Sequence, residues 1–319
     1  MGRLVSVVVV TWNSARYLRR CLAGITEQSY RAYRELELIV VDNASTDDSV
    51  ALVPSTARVI RNDTNAGFAR AVNQAIAVAR GEFVLLVNPD AWLRSDYLER
   101  LMNVMEDGAY GAATGTLLRA VGPDITPTNE IDSRGIRMTR SGRHFDIDTG
   151  DSKYPSMKYE VFGVSGAAAL YSMTFIRDVT IGGEFFDEDF FSYREDADVA
   201  WRGRLFGWRA VYVPDAIGYH VRTVTPERRR TLSPIINMHS VKNRFLLRLK
   251  NEGLYLALRH ALFEIPRDIV TIGAVLTIER TSLPAFAWLW RNRKRVLEKR
   301  REIQRRRRVS DRELARWFR

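Results

Sequence analysis

GEFVLLVNPDAW, Gly81 to Trp92, is the stretch on which the reading of this chain turns. Phe83 to Val87 are apolar without a break, the pattern of a strand buried on both faces inside a parallel sheet. Pro89 has no N–H for a ladder, so the strand ends at Asn88-Pro89-Asp90. The Asn88 and Asp90 side chains then stand at the carboxyl end of a central strand, where open α/β sheets bind ligands. A carboxylate beside an amide oxygen suits a hard divalent cation that also holds a phosphate. A plain Asx-Pro turn would use the same residues. The neighbouring sequence favours the ligand site.

Val5 to Val10 is a second continuous apolar strand, followed by Thr11-Trp12-Asn13-Ser14. Asn13 or Ser14 can cap a helix over Ala15 to Gln28, with Leu18, Leu22 and Ile25 at helical spacing. Leu36 to Val41 is a strand ending in Asp42-Asn43, and Ser45 to Asp48 reads as the opening of another helix. A short strand, Ala57 to Arg61, leads into Asn62 to Gly67 and a helix over Phe68 to Arg80. This β-α alternation predicts an α/β fold, a Rossmann-like, mostly parallel central sheet flanked by helices. Its ligand-facing loops fall on one edge: Thr11 to Asn13, Asp42 to Asn43, Asn65 to Gly67 and Asn88 to Asp90. No GxGxxG follows the first strand and no GxxxxGK[ST] occurs, so a metal at Asp90 is the simplest phosphate holder.

Further on, Leu98 to Met105 reads as a helix, and residues 120–156, rich in Gly, Pro, Asp and Arg, as an excursion forming an acceptor wall. Val161 to Tyr171 returns to the sheet. In the dense stretch Phe185 to His220, Glu195 and Asp196 open a helix that Gly207 stops. They either complement the helix dipole or aim a carboxylate into a cleft as general base. Arg209 to Val213 is a strand ending at Pro214-Asp215, which leaves His220 in a loop.

Two amphipathic helices, Ser233 to Leu249 and Gly253 to Glu264, precede the apolar stretch Ile269 to Ile278, with Pro266 and Pro284 as breaks. Of the net charge of +11, +10 lies between Arg291 and Arg319, with 14 Lys/Arg against 4 Asp/Glu. The basic excess is therefore a property of the tail, and it points to an anionic partner. Cationic residues interleaved with Val296, Leu297, Ile303, Val309, Leu314, Trp317 and Phe318 suit a membrane-surface helix. A solvated charged helix or a homo-oligomer contact is the alternative use of such a tail. One cysteine, Cys21, rules out an intrachain disulfide and fits a reducing compartment. The start, MGRLVSVVVVTWN, does not read as a secretory signal, and no window of about 20 uncharged apolar residues occurs.

VSVVVVTWN, IVVDNASTD, NAGFARAVN, LLVNPDA and FFSYREDADVAWR, in this order and spacing, resemble the family 2 glycosyltransferases of GT-A fold, nearest the bacterial rhamnosyltransferase branch. The resemblance covers residues 4–222 and implies a glycosyltransferase domain over 1–232. That domain divides into a nucleotide-binding part, 1–110, and an acceptor and catalytic part, 111–232, followed by a helical extension, 233–319. It implies that Thr11 and Asn13 line the nucleotide pocket and that Asp42, with Asn43 beside it, bonds the base. Asn65, Gly67 and Asn73 match the motif beside the nucleotide sugar. Asn88-Pro89-Asp90 replaces the family's Asp-X-Asp, so Asp90 would bind Mg²⁺ or Mn²⁺ on the donor diphosphate with one charged ligand fewer. His220 matches an additional metal ligand, and Asp196, with Glu195 beside it, the catalytic base.

The implied activity is inverting transfer of a sugar, L-rhamnose from dTDP-L-rhamnose, to a lipid-linked or polysaccharide acceptor in cell-envelope glycan synthesis. The enzyme would be cytoplasmic and peripheral at the inner face of the plasma membrane. UDP-sugar donors are the alternative. A sugar-phosphate nucleotidyltransferase would need a glycine-rich basic loop where TWNSARYL stands. A nucleic-acid binder would spread basic residues over a face, whereas the first 290 residues carry 35 basic against 34 acidic. Asn88 alone favours a non-catalytic sugar-binding module, against Asp90, Glu195 and Asp196.

Overall fold

The two valine- and leucine-rich runs lie side by side at the centre of the sheet. In this computed structural model, which describes residues 3–30, 36–153, 155–222 and 233–319, β1 (Val5–Thr11) is followed by α1 (Ala15–Thr26) and β2 (Glu37–Asp42). Then come β3 (Arg58–Arg61), α2 (Phe68–Val78), β4 (Phe83–Val87), the short β5 (Ala91–Leu93) and α3 (Tyr97–Met105). β1 pairs in parallel with β2 and β4, and β2 in parallel with β3. Val8, Val10, Val84 and Leu86 enter the core on one side of the sheet, and Val7, Val9, Leu85 and Val87 enter the core on the other. That two-sided burial is why the strands read as unbroken apolar runs.

The second half extends the same sheet. It contains β6 (Ala112–Val121), β7 (Thr126–Ser133), β8 (Ile136–Met138), β9 (His144–Asp146), β10 (Tyr159–Val161), β11 (Ala168–Ser172), α4 (Met173–Val179), α5 (Glu195–Leu205) and β12 (Ala210–His220). The main sheet has ten strands in the order β10-β12-β6-β11-β4-β1-β2-β3, with β5 beside β12 and β7 beside β6. β11 runs antiparallel to β4 and β6, while β12 is parallel to β6. α1 and α3 cover one face, and α2 and α5 the other.

Four expectations are corrected. Ser45 to Asp48 opens no α-helix; a 3₁₀ turn, Val50–Leu52, follows instead. The side chains are used elsewhere: Asp47 accepts from the Ala15 N–H (2.9 Å), and Ser45 Oγ from the Asn13 N–H (2.9 Å). These bonds fold the loop onto the start of α1, so Asp47 supplies the cap expected of Asn13 or Ser14. β12 does not end at Pro214. Its register against β6 shifts between Tyr212 and Ile217, and Pro214 sits in that irregularity, where no ladder N–H is required. His220 is therefore the last residue of a strand and not part of a loop. Pro266 does not break its helix, because it and Leu262, whose carbonyl loses a donor, both lie on the exposed side.

The fourth correction concerns the basic end. After α6 (Pro234–Asn251) and α7 (Leu254–Thr277) come α8 (Pro284–Arg291), α9 (Arg293–Arg306) and α10 (Asp311–Leu314). Val296, Ile303, Leu314 and Phe318 are buried in the same core cluster as α5 and β12, so they are not free for lipid. Lys299 pairs with Glu184 (2.9 Å) and Asp187 (2.6 Å), Arg295 with Asp189, and Arg308 with Asp178 (2.8 Å). Burial opposes the charge on Lys299, but these carboxylates outweigh it and raise the ammonium well above its ordinary value.

Candidate active site

A cleft of about 590 Å³ opens at the carboxyl ends of the central strands. Its walls include Asn13, Asn43, Asn65, Gly67, Asn88, Asp90, Glu195, Asp196 and His220, residues spread over more than 200 positions of sequence. The parallel topology gathers them, because each stands at the end of a strand or the start of the following helix.

The residues on one side of the cleft bond one another. Asn13 has a left-handed backbone (φ 51°), and its Oδ1 accepts from the Thr46 N–H at 2.7 Å. Asn43 donates to the Gly67 carbonyl (3.2 Å) and accepts from Asn62 (2.8 Å), and Asn65 accepts from the Gly67 N–H (3.0 Å). Gly67 has φ 85°, and a Cβ there would stand 2.7 Å from the Phe191 carbonyl oxygen, so only glycine fits. Three of the nominated residues are not among the cleft walls. Thr11 is fully buried, and the Asp42 carboxylate, also buried, accepts from the Ser45 N–H at 3.2 Å. Asn73 is a brace: its amide donates to the Phe186 carbonyl (2.8 Å) and accepts from the Phe186 N–H (3.0 Å).

Across the cleft, β12 and the strand-end turn after β4 bring His220 to Asp90. His220 Nε2 stands 3.3 Å from Asp90 Oδ1, and its Nδ1 is 2.8 Å from Asp132 Oδ2. Arg222 then links Asp132 (2.7 Å) to Asp146 (2.6 Å). Burial alone would lower the His220 pKa; the Asp90 and Asp132 carboxylates outweigh it and push it up to about 10. Burial likewise opposes ionisation of Asp132, yet His220 and Arg222 hold its carboxyl well below the usual range.

The remaining wall is the start of α5. Asp196 Oδ2 accepts from the Gly166 N–H (3.1 Å) and Oδ1 from the Ala197 N–H (2.7 Å), which aims the carboxylate across the first turn. Burial, aided by the charge of Asp146, raises its pKa above the ordinary value. Burial next to Asp196 raises Glu195 further, and Glu195 Oε2 has no partner. The loop before α5 holds Phe191, Tyr193 and Arg194 at φ 64°, 70° and 74°. Such left-handed conformations are costly for bulky residues and persist only where surroundings impose them. Asn243 of α6 imposes this one, its single amide donating to the carbonyls of Phe190 (2.9 Å), Ser192 (2.9 Å) and Tyr193 (2.8 Å).

Asp132, Asp146, His144 and Asn243 were not singled out by sequence reasoning. Asp132 is fully buried near the end of a mostly polar strand, so no local pattern marks it. Of the arginines in the loop Arg222 to Arg230, expected as the substitute for a metal at the diphosphate, Arg228, Arg229 and Arg230 lie outside the described residues.

The chain matches curated relatives over part of its length. It is 32% identical over 113 residues to glycosyltransferase GlyG of Streptococcus pneumoniae, covering 34% of this chain and 36% of that protein. It is 33% identical over 100 residues to the poly(ribitol-phosphate) β-N-acetylglucosaminyltransferase TarS of Staphylococcus aureus, covering 30% and 17%. The matched stretch thus spans about a third of the first relative's length and less of TarS. Among solved structures, S. aureus TarS 1–349 in complex with UDP-GlcNAc superposes with a TM-score of 0.56 at 18% identity, over 88% of this chain and 79% of that one. The mannosyltransferase PcManGT of Pyrobaculum calidifontis, in complex with GDP-Man and Mn²⁺, gives 0.55 at 21% identity over 96% and 84%. These likenesses establish the GT-A fold. The family 2 model, described as glycosyl transferase family 2, matches residues 6–180, more than half of the chain, and the protein belongs to that family.

Proposed function

We propose that the protein is an inverting glycosyltransferase that moves L-rhamnose from dTDP-L-rhamnose to a hydroxyl of a lipid-linked or polysaccharide acceptor. The observation that carries the transfer reading is the pairing, in one cleft, of the Asp90–His220 cluster with the Asp196 carboxylate. Asp90 and the imidazole of His220 converge, and Asp132 on Nδ1 fixes the ring with Nε2 towards Asp90, an arrangement that fits a divalent cation. Mg²⁺ or Mn²⁺ held there, when bound, supplies positive charge to the leaving diphosphate. Thr11, Asn13, Asp42, Asn43, Asn65 and Gly67 form and support the base and ribose side, and Asn88 faces the same space. Asp196 removes the proton from the acceptor hydroxyl as that oxygen attacks the anomeric carbon from the face opposite the diphosphate. Glu195, kept neutral beside it, leaves Asp196 as the charged group. His144 and Asp146, on the excursion read as the acceptor wall, support an acceptor on this side.

The dTDP-rhamnose assignment rests on the sequence motifs. A UDP-sugar is the second reading, favoured by the TarS structure with UDP-GlcNAc. Binding and turnover of dTDP-, UDP- and GDP-sugars, with and without Mg²⁺, tests both. Turnover of the dTDP-sugar alone supports the first reading, turnover of a UDP-sugar alone replaces it with the second, and failure of all donors to bind rejects both.

The acceptor reading carries a location with it, the inner face of the plasma membrane. No helix among the described residues is long and apolar enough to cross a membrane. Since Val296, Ile303, Leu314 and Phe318 of the tail are buried, the larger apolar surface offered to lipid is α7. Leu254, Leu258, Leu262, Ile265, Ile269 and Leu276 line one side of it and are exposed. Arg259 and Arg280 beside them suit anionic headgroups.

A further inference from the structure

Away from the cleft, the bend between α6 and α7 gathers three metal-ligating side chains with unmet valences. Glu252 follows the last residue of α6, while His260 and Glu264 stand four apart on the inner side of α7. One ligand atom from each, a carboxylate oxygen or an imidazole nitrogen, lies within 4.8 Å of the other two. All three residues are buried, His260 to 1% exposure. Glu252 Oε1, Glu264 Oε1 and both ring nitrogens of His260 have no hydrogen-bond partner, a concentration that native interiors rarely leave unexplained.

Neighbouring groups do not fill the need. Arg248 approaches Glu264 through the other carboxylate oxygen, Oε2, at 3.4 Å, and its Nη2 is committed to Asp268. The ring of Phe318 lies 5.2 Å from the His260 ring and offers no acceptor. A proton shared by Glu252 and Glu264 would quiet the two acids, yet both nitrogens of His260 would stay unmet.

We propose that Glu252, His260 and Glu264 form a second metal site, holding a divalent transition-metal ion, zinc best, distinct from the Asp90 cluster. One imidazole and two carboxylates are an N/O ligand set that zinc takes with a fourth position left to water. Two ligands at i and i+4 share a helix face, so α7 offers them together and the end of α6 supplies the third. Ligand atoms about 2.0–2.2 Å from zinc stand roughly 3.3–3.6 Å apart in a tetrahedron, a contraction that rotation of the glutamate side chains provides. The ion would clamp the α6–α7 bend where Phe318 of the tail packs against it.

The test uses the full chain without a polyhistidine tag and with Asp90→Ala, which disables the cleft cluster. Zinc is titrated calorimetrically, and cobalt(II) is added as a spectroscopic probe. The expected result is one equivalent of zinc per chain, a visible ligand-field band with cobalt, and loss of both on adding His260→Ala or Glu252→Gln. Absence of the cobalt band in the Asp90→Ala chain overturns the proposal, and needs no further variant to fold. Zinc stoichiometry unchanged by a folded His260→Ala overturns it as well, as does a shared proton revealed by pH-dependent stability with no metal uptake.

Discussion

Truncating Phe318, next to the last residue of the chain, tests whether the basic end belongs to the folded body. Its ring is 3% exposed and meets Trp201 of α5 at 5.0 Å, Phe162 at 5.9 Å and His260 at 5.2 Å. Arg319 N–H also donates to the Met138 carbonyl at 3.1 Å, which pins the residue beside it. Replacing a buried phenylalanine by alanine costs about 3–5 kcal/mol through lost transfer energy and the cavity left behind. With a urea slope near the top of the usual range of about 1–3 kcal/mol per M, Phe318→Ala lowers the unfolding midpoint by about 1 M or more. Arg316→Ala, two residues earlier and exposed, serves as control and changes stability by no more than about 0.5 kcal/mol. A Phe318→Ala midpoint within about 0.2 M of the parent would refute the docked tail. Removing Arg291 to Arg319 then uncovers core and breaks the Lys299 and Arg295 pairs, so such a truncation reports on folding before it reports on lipid.

Asp196→Asn is expected to cut kcat by at least 10³-fold with donor affinity nearly unchanged; activity within about tenfold, or 1.4 kcal/mol of barrier, would remove it as base. Because burial raises the Asp196 pKa and the base works ionised, kcat falls as pH drops through a value above the ordinary carboxyl figure of about 3.9. A pH–rate profile flat down to pH ~4 contradicts this. Asp90→Ala is expected to weaken donor binding measured in Mn²⁺ by on the order of 10²-fold, with EDTA reproducing the loss; unchanged turnover in EDTA refutes the cation role. Leu258→Asp with Leu262→Asp removes burial of two leucines, about 1.5–3 kcal/mol each, and lowers sedimentation with anionic liposomes by tenfold or more. Equal pelleting of the double variant would clear α7 of lipid contact.

The sheet was legible because its central strands are buried on both faces, and Val5–Val10 and Phe83–Val87 leave no other use for so many adjacent apolar residues. The strand-end loops followed from the alternation, and with them Asn13, Asn43, Asn65, Asn88 and Asp90 came to one edge. The loop after β2 was misread because Ser45 and Asp47 carry a helix-opening pattern, and only the folded chain shows those side chains spent on the start of α1. His220 was misplaced because a proline normally ends a strand, and the irregularity against β6 that absorbs Pro214 depends on a pairing no local window contains. Asp132 and Asn243 act on the site from 88 and about 50 residues away, through single contacts without periodicity.

The tail shows why net charge misdirects when read by segment. A near-neutral body hides acidic residues clustered in three dimensions. Asp178, Glu184, Asp187 and Asp189 lie in an acidic stretch more than 100 residues before the tail, and they meet Arg308, Lys299 and Arg295 in the folded chain. Behind them, Lys250 contacts both Asp187 and Asp198, Asn251 donates to Asp198 at 2.7 Å, and Arg202 closes the set at 2.9 Å, all buried. Asp198 is two residues from Asp196. The C-terminal helices therefore fix the helix that carries the proposed base, and α6 fixes the strained loop in front of it through Asn243. Removing one partner of a buried ion pair strands the other charge and costs more than the pair is worth. Lys250→Met should therefore destabilise α5 and lower kcat together, although Lys250 touches neither donor nor acceptor. A Lys250→Met chain with the parent's unfolding midpoint and kcat would show that the tail and α6 leave the catalytic helix to support itself.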